Sequence, residues 1–355
     1  MPAAIGQSLP DLGDVSQSEM GPVQERRLGQ SIMLELRTDP SYSDDPEVTD
    51  YLTTLGYKLV GAGPDARQEF NFFLMQDPQV NAFALPGGFI GINSGLILTA
   101  QSESELAGVM SHEIGHVVQR HFARMLSSQK DAQIAALAGL AIAILAARSN
   151  SQVSQAAMIG TQAGSVQSSL DFSRANEQEA DRVGFQILEK AGFDPSAMAI
   201  FFERMLNATR FYQTTAPAYL RTHPLTTERI GDARARLGIA GWDAARMSLA
   251  IGPGTSRLAA WHALMAARSR VLMDTRSVAL ENLVGLSPKA GTPPLTAAVT
   301  HYTRAVALQR SGALAKAQQA LENSTFDFNT LANNGVPAKN RHLAAVFHQG
   351  GGDAV

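Results

Sequence analysis

SESELAGVMSHEIGHVVQRHFARMLSS, residues 102–128, is the stretch from which the rest of this chain is read. Leu106, Val109, Met110, Val117 and Phe122 make an apolar stripe at helical spacing with no internal Pro. Ser102 and Glu105 have the spacing of a capping box, so the stretch is expected to form one amphipathic helix. Within it His112 and His116 stand one turn apart on the same face, with Glu113 between them. Two imidazoles at i and i+4 converge on one tetrahedral ion, and the intervening carboxylate sits where it can take a proton from water. The bland alternative is a helix with two incidental histidines. With eight His in 355 residues, two flanking a Glu at that spacing is an improbable coincidence. His121 follows His116 by five positions, so on a single helix it faces elsewhere and reads as structural.

Composition narrows the chemistry further. The chain is 45% hydrophobic and 17% charged, an ordinary globular balance, and 355 residues suffice for two domains. A net charge of -3 without any Lys/Arg block gives no reason to expect a nucleic-acid partner. There is no cysteine, so any zinc must be held by His and carboxylate. The first twenty residues, polar with Pro and Gly, read as a loose tail; they lack a basic segment followed by an apolar core, so no signal peptide is expected there.

Upstream of the central helix, residues 24–36 and 46–60 have helical apolar spacing, the second run opening after Asp45 as a cap. Phe70 to Met75 and Val80 to Ile92 are β-type runs, and Pro86-Gly87-Gly88 turns the second back as a hairpin. Its strand Asn81-Ala82-Phe83-Ala84 is a candidate edge for an extended peptide, held by main-chain hydrogen bonds; the alternative is an ordinary core hairpin.

Downstream, Ile134 to Ala147 is a fourteen-residue apolar run. It is short of the about 20 residues a transmembrane helix needs and lacks a basic face, so it is expected to be buried or partner-facing, with a membrane-surface helix as the alternative. Residues 149–169, rich in Ser, Gln, Ala and Gly and without charge, are a candidate mobile lid or disordered loop. Residues 172–192 then return to helical spacing, closed by Gly192. Here Glu177 and Asp181 share a face, so Glu177 can supply a third zinc ligand while Asp181 accepts from the far nitrogen of a ligating His. Glu179 points about 200° away from Glu177 and would be a poor simultaneous ligand. Pro195 to Leu206 and Pro217 to Leu237 read as further helices. Pro224 puts His223 at an element boundary, where its ring can be aimed as a transition-state donor, with Arg229 as a second donor. Beyond Gly252 come Ala/Leu/Arg-rich helical runs, in which Ala305, Leu308, Gly312, Ala317 and Leu321 have the spacing of a tetratricopeptide helix pair.

With HEIGH, NEQEAD and THPLTTERI in hand, the chain resembles the Ste-type zinc metallopeptidases of the gluzincin group, which include the HtpX and CAAX prenyl proteases. The likeness runs from about Gly21 to Leu237 and is greatest to periplasmic BepA-type members, which add tetratricopeptide repeats. The resemblance implies one Zn²⁺ per chain on His112, His116 and Glu177, Glu113 as base, and Asn81 to Ala84 as substrate edge. It also implies polypeptide substrates, a periplasmic location and a role in outer-membrane protein assembly and quality control.

The expected architecture is therefore α+β and mostly helical. It has a tail over 1–20, a zincin-like peptidase domain with a small sheet over 21–250, and an all-α tetratricopeptide-like region over 251–355 that docks partners such as outer-membrane assembly machinery. Two rivals stand beside the protease reading. In one, His223 closes the zinc site as a fourth ligand and the protein acts as a latent protease or chaperone. In the other, residues 134–147 anchor a protease at a membrane surface.

Overall fold

A computed structural model describes residues 20–64, 68–127, 174–209, 218–236 and 257–333. The apolar run at 134–147, the candidate lid at 149–169 and the N-terminal tail lie outside the described residues.

Two helices open the described chain, α1 (Pro22–Leu36) and α2 (Pro46–Ala62). Each has Pro in its first turn, where the missing N–H costs no intrahelical bond. Asp45 caps α2 as expected, its carboxylate accepting from the Val48 amide at 3.2 Å. Four strands among the described residues, β1 (Tyr42–Ser43) between the two helices and then β2 (Asn71–Met75), β3 (Ala82–Leu85) and β4 (Phe89–Asn93), form one sheet in the order β1-β2-β4-β3. β2 and β4 are parallel, and the other two pairings are antiparallel. The β3–β4 hairpin turns at Gly87 and Gly88, with φ of 74° and 84°, a region that L side chains avoid. A Cβ on Gly88 would also lie 2.2 Å from the Glu69 carbonyl oxygen, so the turn depends on glycine twice over.

Alternation along the strands distributes their side chains between two cores. Phe72, Leu74, Ile90 and Ile92 join the large core with α2, whereas Phe73, Met75, Leu85 and Phe89 pack beneath Ile32, Met33 and Leu36 of α1. Burial on both faces explains why β2 and β4 read as near-continuous apolar runs. Among the described residues β3 pairs only with β4, and no described strand pairs with its other edge.

The central stretch does not form the single helix its spacing predicts. After the short α3 (Ser94–Thr99), α4 spans Glu103–Val118 and a separate α5 spans His121–Ser127. Between them Arg120 takes φ 51° and donates from Nη2 to the Met20 carbonyl at 2.8 Å. At the start of α4, Ser102 accepts from the Glu105 amide at 3.2 Å. The Glu105 carboxylate reaches one residue further back than a capping box requires, to the Gln101 amide at 2.7 Å.

α6 (Arg174–Lys190) crosses α4 closely because glycine faces backbone at the contact. A Cβ on Gly184 would lie 2.9 Å from both His112 N and Ser111 O, and one on Gly115 would lie 2.8 Å from Ala180 O. Next come α7 (Ser196–Thr209), α8 (Ala218–Thr222) and α9 (Thr227–Arg236). Pro217 to Leu237 is thus two helices, broken at His223-Pro224, because the residue before Pro disfavours helical backbone.

The last described helices are α10 (Arg257–Met273), α11 (Ser277–Val284), α12 (Pro294–Arg310) and α13 (Leu314–Asn333). α12 and α13 pack as a hairpin around Ala305, Leu308, Ala317 and Leu321, with Gly312 at φ 80° between them. This helical region shares the large core through Leu264, Val271 and Tyr302. It is also tied to α2 by Arg268, which donates to both Asp45 carboxylate oxygens at 2.7 and 2.9 Å.

One buried acid in this core makes stability depend on pH. Glu103 is 5% exposed, and burial, opposed by Lys58 and by the Tyr51 hydroxyl, raises its pKa from 4.5 to about 7. The folded state therefore binds this proton more tightly than the unfolded chain, and stability from this group falls as pH rises from about 4.5 to about 7. Glu103→Gln is expected to melt above wild type at pH 8, by about 1 to 3 kcal/mol of stability, with the gain gone near pH 4.5. Thermal melts at both pH values test this; an offset of equal size at both would refute it.

Candidate metal centre

α4 delivers His112, Glu113 and His116, α6 delivers Glu177 from its first turn, and the α8–α9 junction delivers His223. His112, His116, Glu177 and His223 are all buried and each offers one ligand atom within 4.8 Å of the others. His112 Nε2 is 3.0 Å from His116 Nε2 and 3.3 Å from His223 Nδ1. The Glu177 oxygens lie 3.4 Å from each of the first two and 3.1 Å from the third. A tetrahedral ion with bonds of about 2.0–2.1 Å would set its ligand atoms about 3.3 Å apart. The donor set of three imidazoles and one carboxylate is one zinc accepts, so both chemistry and spacing fit that ion.

The surrounding contacts orient these donors. His112 Nδ1 is 2.8 Å from Asp181 Oδ1, which keeps its proton on that nitrogen and directs Nε2 inward. Arg229 grips Asp181 from Nε at 2.6 Å and Nη2 at 2.8 Å, and its Nη1 is 2.8 Å from Glu177 and donates to the Pro224 carbonyl at 2.9 Å. Electrostatics follow this pattern. Burial opposes charge on Glu177, but His223, His112 and His116 hold its carboxyl well below the usual range. Burial likewise opposes the Asp181 charge, and Arg229 and His112 bring its pKa down to about 2. Burial disfavours a charged His112, but Asp181 and Glu177 outweigh it and raise that pKa to about 9. Glu113 is raised, chiefly by burial, against the lowering charges of His223 and His112.

The sequence-predicted residues are therefore brought together. His223 turns Nδ1 toward the cluster and Nε2 toward Glu113 Oε1, at 3.5 Å, so of the two roles expected of it, transition-state donor and fourth ligand, this geometry suits the second. Arg229 is 3% exposed with Nε, Nη1 and Nη2 all engaged, so its geometry suits bracing Asp181 and Glu177, not donating to a substrate oxyanion. Ala82, Phe83 and Ala84 lie on β3 with Asn81 just before it, and the Ala84 backbone reaches the Glu113 carboxylate.

Three features escaped the sequence reading. Tyr219 of α8 is fully buried and stacks on the His223 ring at 4.8 Å, while its amide donates to the Val80 carbonyl at 3.1 Å. His121, read as facing away, comes to 2.8 Å from His116 Nδ1. Glu179, excluded as a ligand by its angle, meets His121 instead. A third histidine after HEIGH was the available signal for the last two, but using it required knowing that the helix breaks.

The profile described as Peptidase family M48 matches residues 49–237, more than half of the chain. A protein of Escherichia coli named Beta-barrel assembly-enhancing protease is 40% identical over 229 residues, 64% of this chain and 47% of that one. Its namesake from Yersinia pestis is 39% identical over 228 residues, 64% of this chain and 47% of that one. A mitochondrial metalloendopeptidase of Schizosaccharomyces pombe is 31% identical over 212 residues, 58% of this chain and 59% of that one. The chain spans about half the length of the bacterial relatives it matches.

Proposed function

The chain belongs to peptidase family M48, and from that footing we propose that it is a zinc metalloendopeptidase acting on misfolded or unassembled polypeptides where outer-membrane proteins are assembled. The observation that carries this reading is the set of four buried donor atoms within 4.8 Å, with the Glu113 carboxylate beside them. His112, His116 and Glu177 would hold the ion. Zinc bound there would supply Lewis acidity, polarising a carbonyl oxygen and lowering the pKa of water to about 7.

The chain's own residues supply positioning and proton transfer. Glu113, whose pKa is raised by burial, takes a proton from water and returns it to the leaving amine. Asp181 fixes the His112 tautomer, and Arg229 braces Asp181 and Glu177 from behind. The edge of β3 that no described strand pairs with, with Asn81 before it, offers main-chain groups to an extended peptide, a mode that depends little on side-chain sequence and suits unfolded clients.

Residues 21–250 carry this chemistry, and 251–355 form a tetratricopeptide-like scaffold for a partner, a reading supported by the α12–α13 pair. The relatives named for β-barrel assembly support a partner in that assembly, while outer-membrane machinery as the partner and the periplasm as the compartment rest on the family resemblance. No helix among the described residues is long and apolar enough to cross a membrane. Contact of 134–147 with a membrane surface rests on the sequence alone.

His223 supports a second reading of the same site. With its Nδ1 among the donors, four side chains complete the coordination, and the enzyme is held latent while the protein acts as a chaperone or assembly factor. Both readings require the metal. Stripping it with a chelator is expected to lower the melting temperature and abolish casein cleavage, and zinc at 1,000 times its dissociation constant should restore about 4 kcal/mol of stability. A melting curve indifferent to chelator and zinc would refute both.

A further inference from the structure

We propose that His121 and Glu179 form an outer imidazole–carboxylate pair that fixes the tautomer and orientation of His116, so that both act as positioning residues for the metal. The inference rests on the zinc reading of the site. His116 can ligate through Nε2 only if its proton sits on Nδ1. That proton faces His121 Nδ1 at 2.8 Å, so His121 must accept there and carry its own proton on Nε2. His121 Nε2 is 3.1 Å from Glu179 Oε2, which accepts that proton's hydrogen bond. Arg124 donates from Nη2 to the same Glu179 oxygen at 2.6 Å and to Asn176 Oδ1 at 3.4 Å, which pins the carboxylate in place. The opposite tautomer of His121 would set two N–H groups against each other at 2.8 Å and leave a lone pair facing the Glu179 carboxylate.

The backbone is arranged to make this contact. His121 is fully buried, and it reaches His116 only because α4 stops at Val118 and α5 starts afresh after the positive φ at Arg120. The two HEIGH histidines are thus supported unequally. His112 meets the Asp181 carboxylate directly, whereas His116 meets its carboxylate through a second imidazole.

The test measures zinc affinity by chelator competition on the full chain, not turnover. Outer partners of ligating histidines typically contribute 10- to 100-fold in metal affinity. His121→Phe and Glu179→Leu should each weaken zinc binding by about that factor, whereas His121→Gln, whose Oε1 can accept from His116, should recover part of it. Long-range ¹H–¹⁵N spectra of ¹⁵N-histidine-labelled, zinc-loaded wild type, assigned by correlating each ring with its own backbone, should show His116 protonated at Nδ1 and His121 at Nε2. The spectra decide the matter even if a variant fails to fold. Variant affinities within twofold of wild type, or an Nδ1-protonated His121, would overturn this proposal alone. A wild type that takes up no zinc would overturn the site reading and this proposal with it.

Discussion

Replacing Glu113 with Gln is expected to cut casein cleavage by about 10²- to 10⁴-fold, the range lost with a positioned acid–base group, while zinc content stays at the wild-type level. Three observations support the separation. Glu113 is not among the four clustered donors, so its loss removes no ligand. Its carboxylate is fully buried between the His223 ring and the Ala84 backbone, where Gln fits the same space without the ability to take a proton. Burial also raises its pKa, so the ionised group is costly to the fold, and the amide should melt at or above wild type. Cleavage, bound zinc and melting temperature measured on one preparation give the answer. Undiminished cleavage would remove Glu113 from the chemistry; loss of zinc would make it a structural residue.

The parts of this site legible in the sequence are those in which local period alone determines geometry. HEIGH and the Glu177/Asp181 pair each lie within one helix, and helical spacing puts their side chains on one face whatever the rest of the chain does. The β3–β4 hairpin was legible for a similar reason, since Gly87 and Gly88 advertise a turn that only glycine makes easily. The break between α4 and α5 was not. It sits at Arg120, a residue with no intrinsic taste for positive φ, and the contacts that accompany it include the Met20 carbonyl, 100 residues away. Once that break is missed, His121 points the wrong way and Glu179 loses its partner. Arg229 shows the complementary limit. Its basic side chain was visible as a candidate donor, but Asp181 lies 48 residues upstream, and only the packing of α9 against α6 reveals that the two are joined. α3, six residues long, is too short for its period to register at all.

His223→Ala separates the two readings of the zinc site by the sign of its effect. If His223 serves only to support charge in the transition state, its removal should lower cleavage, and loss of one such donor typically costs about 10²- to 10³-fold. If it closes the site, removal should raise cleavage, because three donors remain and a position opens beside Glu113. The geometry favours the increase. His223 Nδ1 lies 3.1 Å from Glu177 and 3.3 Å from His112 Nε2, inside the cluster, and its ring is clamped by Tyr219. The ring also sits at the α8–α9 break before Pro224, where a small hinge movement could withdraw it without unwinding a helix. For a resting population closed by 10:1 to 100:1, the expected gain at saturating zinc is about 10- to 100-fold. Zinc should be retained by His112, His116 and Glu177 but with lower affinity, so the comparison is made with zinc in excess. A rise of that order identifies His223 as the element that holds the peptidase latent. A fall assigns it to the reaction itself, as a ring that stands off the other three donors and supports charge in the transition state.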